Sequence, residues 1–361
     1  MPRKYYKPFL IVGVLFITSV VILQSRINNE LPPVCAAKQN NELNSVYSDD
    51  LSNKRDLIKF VSTPWKVEKT IAHGVCGLHP DKVKWSMVIV VKSSASHFDR
   101  RNTIRETWGG IRAIDDVIIE LVFIVDVTMD DIINKQTEEE GFLHGDILLI
   151  PYIKTPFPIT LKTVAGMQWV AHILPDRWFY SSCDDDVAIH IPHMVAHLHT
   201  MLPHYRVGER NDKFDSFGDL PISCMYSYQK CDVPAREYSS KWKISYLKYP
   251  PTQWPVYCRG GLYTTTSKMA TKLFEVSRMT ELMHLDDVWV TGLLREKLRK
   301  GNANIVPAPY SERNEKELVK NDDQPGMIVK HMWGDIPGID TDVLAGLNSA
   351  WKILEGRPRC P

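Results

Sequence analysis

Three consecutive carboxylates, Asp184-Asp185-Asp186, directly follow the apolar run Trp178–Ser182. Adjacent carboxylates repel one another, so a cation beside them is favoured. Side chains alternate along an extended backbone, which lets Asp184 and Asp186 share one hard ion while Asp185 faces elsewhere. Mn2+ or Mg2+ suits oxygen ligands, and such ions usually bridge to a substrate phosphate. A solvated acidic turn has the same composition. A second acidic pair, Asp286-Asp287, opens the helical pattern that runs through Trp289 and Gly292. An Asp at a helix start fits an N-cap; beside Trp289, a carboxylate also fits a general base.

Arg101 and Arg105 stand four apart in the stretch RRNTIRETWG, residues 100–109, and so share a helix face. Guanidinium forks on one face can hold a diphosphate, and ordinary surface arginines have the same spacing. Farther on, Tyr249-Pro250-Pro251 leads through Trp254 to Cys258-Arg259-Gly260-Gly261-Leu262-Tyr263. Aromatics around paired glycines suit a close-fitting loop on a sugar ring, or a tight turn with core aromatics. His331, near Trp333, fits either a third metal ligand or a packed histidine.

These residues need elements to position them, and the pattern supplies candidates. Apolar β-rich runs at Met87–Val91, Val117–Val125, Ile147–Ile150 and Trp178–Ser182 alternate with helical stretches at Arg100–Trp108, Met129–Glu140 and Thr160–Leu174. Strands that alternate with helices predict an α/β layer with a mostly parallel sheet. Ligands of such sheets bind beyond the carboxyl ends of the strands, where the Asp triplet falls. In the second half, Lys243–Tyr249 and Leu262–Thr266 read as strands, and Ser267–Arg278 and Asp286–Arg299 as helices. Neither GxxxxGK[ST] nor GxGxxG occurs, so the usual phosphate-cradling glycine loops are missing.

The 361-residue chain is 44% hydrophobic and 24% charged, which excludes wholesale disorder and a multi-span membrane protein. A net charge of +1 argues against a nucleic-acid partner bound by charge alone. Phe9–Leu23 carries no charge and follows Arg3, Lys4 and Lys7. We read residues 9–25 as a signal anchor rather than a cleaved peptide, because no small-residue cleavage site follows. The basic flank leaves a cytoplasmic tail at 1–8 and puts the rest in a lumen. The short span suits a Golgi or endoplasmic reticulum membrane. Residues 26–82 are polar and read as a stem, with 65–79 able to dock on the domain at 83–361. Seven cysteines, without CxxC pairs, read as disulfides with one left over; Cys224 and Cys231 are close enough to close a small loop. No Asn-x-Ser/Thr sequon occurs.

RRNTIRETWG, VFIV, PITLKT, DDDV, YPP followed by WPVYCRGGLY, and DDVWVTG stand in the order and approximate spacing of the β-1,3-galactosyltransferase-like family, glycosyltransferase family 31. The chain resembles that family over roughly 85–292. The resemblance implies a GT-A fold (a Rossmann-like mixed, mostly parallel sheet flanked by helices) in a single lumenal domain of a type II Golgi membrane protein. It implies inverting transfer of galactose or an N-acetylhexosamine from a UDP-sugar donor to a glycan, glycolipid or glycoprotein acceptor, forming a β-1,3 linkage with Mn2+ or another divalent cation. By the same resemblance Asp184, Asp186 and His331 are the metal residues and Asp287 is the base. Arg101, Arg105, Lys162, Asp185, Gly260 and Gly261 fall at donor-facing positions. The chain departs from the family pattern at Ser182, Ala188, Asp286 and Leu262, which bears on donor and acceptor choice. Two further readings are a carbohydrate-binding paralogue without turnover and a metal-dependent phosphoesterase.

Overall fold

A computed structural model of the protein describes residues 55–202, 220–225, 227–229, 232–298, 305–307, 328–332 and 343–354. The expected anchor at 9–25 lies outside them, as do Cys35, Cys231, Cys360 and Trp333. Among the described residues no helix is long and apolar enough to cross a membrane.

Three parallel strands form the centre: β1 (Trp85–Lys92), flanked by β3 (Val117–Asp126) and β5 (Trp178–Asp184). Their near-continuous apolar runs follow from burial on both faces. Met87, Ile89, Val91, Phe123 and Phe179 pack into one core, while Val88, Val90, Val122 and Tyr180 pack into the other. The short β2 (Ala113–Ile114) pairs antiparallel with β3, and β4 (Ile147–Ile150) pairs parallel with it. On the other side β10 (Leu262–Thr266) runs antiparallel to both β5 and β7 (Ile222–Cys224), and β11 (Ile305–Pro307) runs parallel to β7. The result is a mixed eight-stranded sheet.

Helices cover both faces. α1 (Trp65–His73) precedes the sheet; α2 (Phe98–Glu106), α3 (Asp131–His144) and α4 (Pro158–Ile173) connect its first strands. α3 starts where Asp130 Oδ1 accepts from the Ile132 and Ile133 amides, and it ends at Gly145 in the left-handed region. α4 is buried at every position from Thr160 to Val170 because α6 (Ser267–Arg278) covers its outer side. α5 (Ile191–Thr200) and α7 (Val343–Leu354) close the opposite core through Ile191, Met194, Val343 and Leu347. Two small ribbons complete the framework: β6 (Val187–Ile189) with β12 (Val329–His331), and β8 (Ser227–Gln229) with β9 (Tyr257–Arg259).

Three expectations are corrected. Lys243–Tyr249 is a succession of turns, not a strand, closed by Lys243 N–H to Ser240 O and Lys248 N–H to Ser245 O. The Arg236 guanidinium donates to the carbonyls of Ile244, Tyr249 and Pro251, which occupies acceptors that a neighbouring strand would need. Cys224 pairs with Cys258 rather than with Cys231, tying β7 to β9 across the sheet edge. Cys183 is buried and is the free cysteine among the described residues. The stem expected to reach residue 82 also meets the folded unit sooner. Ile58 exchanges two backbone hydrogen bonds with the Gln168 side chain, Arg55 donates to Ser277 O and Thr280 O, and Val67 is fully buried.

Candidate active site

The three central strands end in charge. Lys92 closes β1, Asp126 closes β3 and Asp184 closes β5. All three fall on the sheet face that α4 covers, because each lies an even number of residues from the strand positions buried there. Register puts Lys92 directly opposite Asp184. Its ammonium lies 3.0 Å from Asp184 Oδ1 and 2.7 Å from Asp286 Oδ2. Burial alone would lower the Lys92 pKa, but Asp184 and Asp286 outweigh it and hold it well above the ordinary value. Asp286 also accepts from the Thr163 hydroxyl at 2.8 Å. Burial would raise its pKa, and Lys92 holds it below the usual carboxylate value instead. Lys92 was not among the expected site residues, and Asp286 was read only as one of the acidic pair that opens a helix. A lysine at a strand end looks in sequence like a boundary, and its partner lies 194 positions away.

The triplet divides as the pleat requires. Asp184 accepts the Gly261 amide at 3.2 Å. Asp186 sits in the turn beyond β5, with its backbone carbonyl accepting from Met332 N–H. The β6–β12 ribbon pairs Val187 with His331, and this delivers His331 Nε2 to 3.1 Å from Asp186 Oδ1. One atom each from Asp184, Asp186 and His331 falls within 4.8 Å of the others. Asp186 Oδ1 is buried and accepts no well-formed hydrogen bond. Two carboxylates and an imidazole, with a buried oxygen left for a cation, fit a divalent metal of the Mn2+ or Mg2+ type.

Asp185 turns the other way. Its Oδ2 accepts from the Ser93 hydroxyl at 2.8 Å and contacts His97 Nδ1 at 2.7 Å; its Oδ1 accepts from Arg100 at 3.0 Å. Burial would raise its pKa, but hydrogen bonding and charge from His97 lead the groups that pull it below the usual range. Asp185 therefore clasps the loop after β1 to the triplet. Lys162 grips the same loop through Ser93 O at 2.8 Å, and it pairs with Asp126 at 2.8 Å.

The two arginines expected to face a diphosphate have other partners. Arg101 is fully buried and donates to Glu140, to the Ser93 hydroxyl and to the carbonyls of Ser94 and Ala95. Arg105 binds Asp146 through two parallel bonds of 2.8 Å and reaches Glu140 at 2.6 Å. Glu140 on α3 is the feature that spacing within α2 could not reveal. Arg101 thus shapes the loop after β1 from behind, and Arg105 locks α2 to β4.

Asp287 opens a π-helix, Val288–Leu294, that continues into Arg295–Lys297. Its Oδ1 accepts the Val288 amide at 2.7 Å and its Oδ2 accepts the Gly260 amide at 2.8 Å. Gly260 lies between the two halves of the site: a methyl group there would stand 3.6 Å from Asp287 Oδ2 and 3.9 Å from Asp184 Oδ2. Gly261 adopts φ +95°, a backbone state that side chains disfavour, and this turns β9 into β10. Burial first, and the neighbouring Asp286 second, push the Asp287 carboxyl up to about 7. A carboxylate poised near neutrality can hold a proton or release it, as general-base work requires.

The galactosyltransferase family model matches residues 99–303, and the chain belongs to that family. It is 28% identical over 212 residues to β-1,3-galactosyltransferase 1 of Mus musculus, a match over 59% of this chain and 60% of that one. It is 28% identical over 212 residues to β-1,3-galactosyltransferase 5 of Homo sapiens, over 59% of this chain and 63% of that one. The match thus spans less than two thirds of either relative. Among solved structures, mouse xyloside xylosyltransferase 1 aligns with a TM-score of 0.33 and 11% identity over 68% of this chain and 97% of that one. The galactosyltransferase LgtC with donor and acceptor sugar analogues aligns with a TM-score of 0.35 and 11% identity over 75% and 98%.

Proposed function

We propose that this chain is an inverting, GT-A-type hexosyltransferase that moves galactose or an N-acetylhexosamine from a UDP-sugar to a glycan hydroxyl, forming a β-1,3 linkage. The observation that carries the reading is the placement of Asp287 and Asp184 on either side of Gly260, with Asp186 and His331 completing a ligand set next to Asp184. Membership of the galactosyltransferase family supports it. A divalent ion held by Asp184, Asp186 and His331 would supply positive charge to a departing diphosphate.

The chain's own residues do the rest. Asp287 accepts the proton of the acceptor hydroxyl as that oxygen attacks the anomeric carbon. The bond from that carbon to the diphosphate oxygen breaks, and its electron pair leaves with UDP. A single displacement inverts the anomeric centre, so no covalent enzyme intermediate forms. The Val288 and Gly260 amides fix both Asp287 oxygens, so the base is oriented before substrate arrives. Lys92 holds Asp184 and Asp286 together and keeps their mutual repulsion from opening the site.

A Golgi lumenal setting behind an anchor at 9–25 belongs to the same proposal. The uncharged run Phe9–Leu23 supports it, as does the Cys224–Cys258 disulfide, a bond that persists in oxidising compartments. The test is a panel of UDP-sugars against a glycan array, with and without Mn2+, followed by linkage analysis of the product. Metal-dependent β-linked transfer is expected. UDP binding with no transfer to any acceptor would favour a carbohydrate-binding protein, and phosphate-ester cleavage without an acceptor would favour a phosphoesterase.

A further inference from the structure

Away from the carboxyl edge, a cavity of about 380 Å³ lies where α1, α2, the end of α3 and the start of β4 meet. Leu121 lines it five residues before Asp126, about 17 Å back along β3 from the candidate active site. Lys66, Arg105, Arg112 and His144 converge on it, opposed by Asp146 and Glu106. The buried acids are already matched. Asp146 receives two bonds from Arg105, and Glu120 behind Arg112 receives that guanidinium. Lys66 is different. It is half-buried, its backbone amide is fixed to Gly145 O at 3.0 Å, and among the described residues no carboxylate lies within ion-pair distance of its ammonium.

The geometry points to this cavity as a second binding site, one that takes a small oxyanion, sulfate or phosphate, free or carried on a sugar. Asp146 and Glu120 act on the Lys66 ammonium without closing to an ion pair, so they offset only part of the cost of its burial, and an oxyanion facing it would offset more. Arg112 spends two nitrogens on Glu120 and Ile119 O and can offer its third, while the Asn102 amide already donates to Glu106 at 2.9 Å. The volume falls in the range of small-molecule sites and exceeds what one tetrahedral anion fills, which favours an anion borne on a sugar. Burial, and then Arg112, push the Lys66 pKa down, and burial, and then Arg105, do the same to His144. Glu120 and Asp146 oppose the shift at Lys66, and Asp146 and Glu140 the one at His144; a bound anion would act in the same sense as these acids. The inference is independent of the proposed reaction: Lys66, Arg112 and His144 have no part in it, and Arg105 and Asp146 pair with each other rather than with the triplet.

The test is calorimetric titration of the full chain in detergent with sodium sulfate, galactose 6-sulfate and galactose at constant ionic strength, repeated with UDP and Mn2+ present. Saturable binding of at least one sulfate probe is expected, with none for galactose at the same concentrations and no change on adding UDP and Mn2+. Tighter binding of galactose 6-sulfate than of sulfate identifies a sugar-borne anion; equal binding identifies a free one. Lys66→Met should weaken binding tenfold or more, and Lys66→Arg should retain it. Should Lys66→Met fail to fold, as judged by circular dichroism, His144→Leu replaces it and should weaken binding several-fold. Absence of saturable sulfate binding overturns the proposal. So does affinity unchanged in a folded variant, competition by UDP with Mn2+, or galactose binding as tightly as its sulfate.

Discussion

Asp287 and Lys92 show how burial sets what a single ionisable group does. Asp287 keeps its proton to about pH 7 in the fold, whereas an unfolded carboxyl loses it near pH 4. The folded chain therefore binds the extra proton between those values, and this group's contribution to stability is lost as pH rises towards 7. The same ionisation switches the base on, so kcat/KM should climb with pH through about 7, which a pH–rate profile will check. Asp287→Asn should lower kcat by about 10²–10⁴-fold while UDP affinity stays within a factor of two, measured by calorimetry with Mn2+. Lys92→Met should destabilise the fold by about 1–3 kcal/mol, because it leaves two partly buried carboxylates without their cation; a urea titration measures this. Of this chemistry, the carboxylates were legible in sequence because acidic triplets and pairs beside apolar runs stand out. Lys92 was not, since pairing between distant strand ends leaves no local mark. The Arg101 and Arg105 spacing was legible as a shared face, but their partner Glu140 lies on another helix.

At the scale of elements, the strands buried on both faces were readable because β1, β3, β4 and β5 are near-continuous apolar runs. The short strands β6, β7, β11 and β12, three residues each, carry too little pattern to register; their place is set by the partners they meet. One such meeting, β7 with β9 through Cys224–Cys258, fixes the strand that leads into Gly260. Replacing both cysteines by serine should lower stability by about 2–4 kcal/mol. It should also reduce kcat more than it raises KM, because the Gly260 amide that orients Asp287 loses its anchor; steady-state kinetics on the double variant test the split.

For the whole molecule, Ile58 and Val67 belong to the core and Phe60 packs against it, so this stretch is more than a tether although Val61 and Trp65 are exposed. A chain starting at residue 83 removes Ile58, Val67 and the Arg55 contacts with the end of α6, and should be insoluble. One starting at residue 55 should fold; soluble yield and thermal melts of the two forms decide. Composition in this stretch is polar enough to look like linker, and burial of a few residues escapes an average. His331 reaches the triplet from 145 positions downstream, carried by a three-residue strand that pairs with β6. An ion gripped there would act as a clasp between early and late parts of the polypeptide. Translation that stopped short of residue 331 would leave every strand of the main sheet and the proposed base encoded, yet without the helix that closes one core and one ligand short of a closed grip on the metal.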